Sequence, residues 1–182
     1  MKKISLFLLL TLPSYTFLYA QELPILTQKT TNSLYYNPSL AGAEEGSVDM
    51  SFQRLWNGLD RSVNNSYFMA QTPLAGGSIG AAFQIFNEKI NLFNTLHLKA
   101  AGAYHVPLSF NSTLSFGLSA EYGQNQLDQE GVIVREVNDP LILNYPGFNN
   151  FDFSFGMNFR TNYFQIGGSI NRIITYFDEE KD

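Results

Sequence analysis

Residues able to do chemistry are few in this chain, and their spacing argues against catalysis. None of the 182 residues is cysteine, which removes disulfides, thiolate metal ligands and thiol nucleophiles at once. The two histidines, His97 and His105, stand eight positions apart in a stretch that reads as one strand. Even spacing puts them on one face, but about 27 Å separates them at strand rise, too far to share a metal ion. His97 could in principle activate a serine for hydrolysis of a lipid substrate; a solitary histidine on the polar side of a strand is the simpler account. Glu44-Glu45 sits near a turn and Glu179-Glu180 at the end of the sequence, settings in which water solvates both carboxylates and no acid–base couple is set up. Gly76-Gly77-Ser78-Ile79-Gly80 has the glycines of a phosphate loop, yet no helix follows to offer its N-terminus. No catalytic, cofactor or metal site is expected.

The elements that would position any such residue are strands. From Thr113 to Gly123 the residues alternate, with Leu114, Phe116, Leu118, Ala120 and Tyr122 on one face and Thr113, Ser115, Gly117, Ser119 and Glu121 on the other. Phe151 to Arg160 repeats the pattern, with Phe151, Phe153, Phe155, Met157 and Phe159 opposed to Asp152, Ser154, Gly156, Asn158 and Arg160. Val48, Met50, Phe52 and Trp56 share a face, as do Ile79, Ala81, Phe83 and Ile85, whereas Tyr67 to Thr72 is blurred. The alternation places seven strands at about 47–57, 65–74, 77–87, 92–106, 112–124, 150–160 and 163–174. Strands of roughly 9 to 11 residues suffice to cross a bilayer when tilted.

The first twenty residues have the order of a cleaved export signal: Lys2 and Lys3, the apolar run Ile4 to Leu12, then Leu18-Tyr19-Ala20 before Gln21. The organisation expected is a signal peptide over 1–20 and a single β domain over 21–182. Loss of Lys2 and Lys3 leaves 9 basic against 16 acidic residues and takes the net charge from −5 to −7, which disfavours nucleic acid as a partner. Mean hydropathy is −0.10. A barrel reconciles this value with a membrane, because only every second residue faces lipid.

If the N-terminus starts in the periplasm, the turns alternate between the two sides of the membrane. Pro73 to Gly77, Val106 to Asn111 and Thr161-Asn162 then fall inside, and Asn57 to Asn64, Glu88 to Asn91 and Gln124 to Asn150 outside. The longest connection lands outside, as in bacterial barrels generally. A secreted β-sandwich would show the same alternation with its apolar face packed inward. The long strands, and the Ser, Gly, Asn and Thr crowding their polar face, favour the barrel, whose lumen is polar. The fold expected is therefore all-β, an antiparallel transmembrane β-barrel of the bacterial outer membrane with about seven strands present, a partial barrel.

The segments YYNPSLAG (Tyr35 to Gly42), RLWNGLD (Arg54 to Asp60), QTPL (Gln71 to Leu74), NEKI (Asn87 to Ile90), LSFGLSAEYG (Leu114 to Gly123) and NDP (Asn138 to Pro140) resemble, in order and spacing, the PorP/SprF family of Bacteroidetes outer-membrane proteins. The resemblance implies a non-enzymatic role in type IX secretion and gliding motility, exporting or holding a surface adhesin, with contacts to the secretion machinery and to outer-membrane lipid. It marks Asn37, Pro38, Gly42, Arg54, Trp56, Gly58, Pro73, Asn87, Lys89, Asp139 and Pro140 as positions with a structural or partner-binding role. Asn37-Pro38 suits a turn opener or a periplasmic lip that meets a partner. Arg54 and Trp56 suit the interfacial belt. Family members are usually longer, so the chain is expected to be C-terminally truncated, in keeping with an odd strand count where single-chain bacterial barrels have even ones. A small porin or solute channel is the alternative.

Overall fold

Seven antiparallel strands, each hydrogen-bonded to the next in sequence, make one sheet in the order β1 to β7. They are β1 (Ser47–Leu55), β2 (Val63–Leu74), β3 (Ile79–Ile90), β4 (Phe93–Ser109), β5 (Ser112–Leu127), β6 (Phe148–Thr161) and β7 (Gln165–Asp178). This computed structural model describes residues 33–56, 63–127 and 147–178; the expected signal peptide, Gly58, Asp139, Pro140 and the middle of the longest loop lie outside the described residues. Among the described residues the sheet is not closed: β1 pairs with β2 alone, and β7 with β6 alone. It is a partial barrel.

All seven expected strands are present, with ends displaced by a few residues. β4 runs on to Ser109, through Pro107, and a register shift between Pro107 and Ser109 absorbs the missing amide. β1 stops at Leu55 because Trp56 turns to φ 56, which breaks the alternation that would have kept its ring in line with Phe52.

The polarity of the sheet is inverted relative to a water-soluble protein. In β6 the aromatic row is exposed, with Phe153 at 44%, while Asp152 between its neighbours is at 1%. β5 does the same, with Leu118 at 67% and Glu121 at 3%. A sandwich would bury the first set and expose the second. Here the exposed apolar side chains continue across the sheet, from Val48, Met50 and Phe52 on β1 to Ile166 and Ile170 on β7. An apolar surface of this extent is the mark of a membrane-facing wall.

One expected outcome follows for that wall. Leu118→Arg, at the middle of β5, should cost about 2 to 4 kcal/mol of assembly free energy on a lipid-facing position and deplete the protein from the outer-membrane fraction, while Leu118→Met should assemble normally. Equal recovery of the two variants would put Leu118 on the wrong side of the sheet.

Candidate functional site: the interior of the arc

The concave side of the sheet is not an empty polar lumen. The chain preceding β1 lies in it, as the short helix α1 (Ser33–Tyr36) and a 3-10 turn (Pro38–Leu40). Asn37 builds the joint. Its side-chain oxygen accepts from Ser39 N at 3.0 Å and from Ser39 Oγ at 2.7 Å, and Pro38 supplies the preset φ of a first helical residue. The amide nitrogen of Asn37 donates to the Met157 carbonyl on β6 at 3.2 Å. Asn37-Pro38 does open a turn, and the turn sits inside the arc.

Glycines let this segment approach the sheet closely. A Cβ on Gly117 would overlap Ser39 N and the Pro38 carbonyl, and one on Gly156 would overlap the Asn37 side chain. Gly42 turns at φ 58 with its Cα against Gly80 and Thr72, a conformation that only glycine adopts without strain.

Side chains of the sheet then hold the segment by its backbone carbonyls. Lys99 Nζ on β4 donates to Tyr35 O at 2.9 Å, Ser169 Oγ on β7 to Tyr36 O at 2.7 Å, and Arg160 Nη2 on β6 to Ala43 O at 2.9 Å. His105 Nε2 meets Ala41 O at 2.9 Å while its Nδ1 lies 2.8 Å from Ser115 Oγ. A neutral imidazole protonated on Nε2 satisfies both contacts, the serine hydroxyl donating to Nδ1. The Gly42 amide donates in return to Gln71 Oε1 at 3.1 Å.

Apolar packing accompanies these bonds. Leu34, Tyr35 and Ala41 are buried with Tyr67, Met69, Ala82, Phe86, Ala101 and Ala103 in one cluster. This explains the blurred alternation of β2: Tyr67 and Met69 face inward but meet α1, so both faces of the strand are apolar there. Burial, reinforced by the Glu121 carboxylate, holds the Tyr35 phenol well above its usual pKa, and it stays neutral.

Beneath Tyr35 lies a buried charge network. Lys99, Glu121 and Asp152 stand in one cross-strand row on β4, β5 and β6. Glu121 accepts from Lys99 at 3.4 Å and pairs with His97 Nδ1 at 2.8 Å; Asp152 accepts from Asn150 Nδ2 at 2.6 Å. Arg172 Nε sits 3.4 Å from Asp152 and its Nη2 4.0 Å from Glu121. Alternation along β7 puts Arg172 on the outer face with Ile170. A bulge opposite Ser154, where the partners jump from Phe155↔Ile170 to Phe153↔Ile174, and a φ of 56 at Arg172 swing its guanidinium to the inner side.

Of the positions singled out in the sequence, the structure brings Asn37, Pro38 and Gly42 into the interior and leaves the others apart. Arg54 and Trp56 are exposed at the end of β1. Pro73 is half-buried near the foot of β2, and Asn87 donates to Asn94 at 3.1 Å across the β3–β4 pair, with Lys89 two residues on. His97 and His105 both face inward on β4 as lumen histidines, the first bound to Glu121 and the second to Ser115 and Ala41. The serine–histidine contact is therefore at His105 and not at His97. Ser115 is buried, and the second nitrogen of His105 meets the Ala41 carbonyl. The residues that the sequence reading missed are Lys99, Glu121, Asp152 and Arg172. The first three each bear a charge on the polar face of consecutive strands, a signal that register would have exposed.

Two outcomes are expected. Gly117→Ala or Gly156→Ala should lower stability by about 1 to 3 kcal/mol through overpacking against residues 37–39, and Gly168→Ala, which meets nothing within 4 Å, should not; denaturant midpoints measure the contrast. Glu121→Gln strands the buried Lys99 ammonium, while Arg172 keeps Asp152, and should cost about 3 to 5 kcal/mol, partly recovered by Lys99→Met in the same chain.

A family model described as Type IX secretion system membrane protein PorP/SprF matches residues 18–182. No curated protein and no solved structure matches the chain.

Proposed function

The chain belongs to the PorP/SprF family of type IX secretion system membrane proteins, and from that membership we propose that it acts in the outer membrane, after removal of residues 1–20, as a non-enzymatic part of the export pathway. Its task is to assist the export or surface attachment of a partner protein such as an adhesin, in contact with the secretion machinery. The observation that supports a protein-handling role over a passive solute channel is the occupied interior. A porin needs an open polar lumen, whereas the concave face here is covered by residues 33–43 and its charges are spent on one another and on backbone carbonyls. The gliding role and the Bacteroidetes setting come with the family resemblance.

A deletion strain tests the reading. Surface display of the adhesin should fall while uptake of small solutes is unchanged; loss of solute uptake with normal display would make it a channel. The orientation has its own check. The long loop, outside the described residues, should carry a protease site placed near Glu130 to the cell exterior, so intact cells should be cut there. Cutting only after lysis would reverse the topology.

A further inference from the structure

The inner face of β4 to β7 has the properties of a surface that receives polypeptide backbone. Four side chains from three strands, Lys99, His105, Arg160 and Ser169, each address a main-chain carbonyl of residues 35–43; the side-chain contacts beside them are Lys99 Nζ over the Tyr35 ring at 4.9 Å and Arg160 Nη1 3.7 Å from the exposed Glu44 carboxylate. Gly117 and Gly156 supply the close approach. Donors aimed at carbonyls read the path of a chain and tolerate its sequence.

The present occupant is incompletely matched to this seat. Among the described residues, the buried hydroxyl of Tyr35 and that of Tyr67, packed against it, have no hydrogen-bond partner. A buried polar group left unpaired is costly, and each regains a partner from water when the cover departs. The seat itself survives departure, because Lys99 remains paired to Glu121, and His105 to Ser115, once Tyr35 O and Ala41 O have gone.

We propose that this face is a peptide-binding cradle and that residues 34–43 are its displaceable resident, holding the place of a segment of the exported protein that presents its carbonyls in a similar turn. The proposal rests on the protein-handling reading above. The resident keeps the interior covered until a competing segment arrives, and the competitor is recognised by backbone shape more than by side chains.

The absence of native cysteine makes the test direct. Ser39 and Ala41 are fully buried under the docked segment. In outer-membrane fractions, the Ser39→Cys chain is treated with a membrane-impermeant maleimide while a synthetic peptide of residues 33–46 is titrated in. Labelling should be slow without peptide and rise saturably by about tenfold or more, the equivalent of roughly 1.4 kcal/mol of displacement, with protease resistance of the sheet retained. A scrambled peptide should have no effect, and the exposed Ser78→Cys chain should label rapidly throughout. Ala41→Cys reports the same event if the first substitution impairs folding. Labelling that ignores the peptide, or appears only when the sheet becomes protease-sensitive, overturns the cradle. Because that result is read in isolated membranes, it leaves the export role standing, which adhesin display tests separately.

Discussion

A strand crossing hydrocarbon has no water to satisfy its amides and carbonyls, so each must be met by a neighbouring strand. The rest of this structure follows from that requirement. It dictates a meander in which β1 to β7 pair in sequence order, and it reverses the usual assignment of faces: lipid takes the apolar row, and polar side chains must find partners on the concave side. The register then matters more than in a soluble sheet, because a slip of one residue would turn charges of the inner row, Lys99, Glu121 or Asp152, toward lipid.

The concave side resolves its polarity by two separate means. Charges cancel across the Lys99–Glu121–Asp152 row, with Arg172 added from β7. Such pairs contribute little net stability, since desolvation consumes most of the Coulombic gain, but a wrong partner is heavily penalised. They fix which residue faces which. The second means is the segment before β1, whose carbonyls take up the donors that the charge network leaves over. Polar groups that would need water in an open channel are instead used to grip a piece of the chain.

Much of the sheet was legible in the sequence because a strand's two faces meet two media, and Thr113 to Gly123 or Phe151 to Arg160 records the boundary residue by residue. Legibility failed where a residue answers to something distant in sequence. Tyr67 and Met69 blur the period because they meet α1, some thirty positions earlier. Arg172 reads as outward until the bulge beside it is known. Asn37 and Pro38 announce a turn through their own chemistry, but nothing local says that the turn is seated against Gly117 and Gly156. Lys99, Glu121 and Asp152 form a site only after three strands are aligned, and alignment is a long-range property that no window of the sequence contains.

The seat of the N-terminal segment is spread along the chain in a way that orders events in time. Tyr36 is held by Ser169, 133 positions away, and Asn37 by Met157, 120 positions away. The part of the segment that leaves the ribosome first therefore completes its contacts only after β6 and β7 have joined the sheet. Non-local contacts of this separation form late because the chain between them must be ordered beforehand. A sheet assembled one residue out of step would offer side chains where Gly156 and Gly117 now leave room, and the segment would find no berth. Docking thus works as an inspection of β6 and β7, in which earlier residues of the chain verify the placement of later ones.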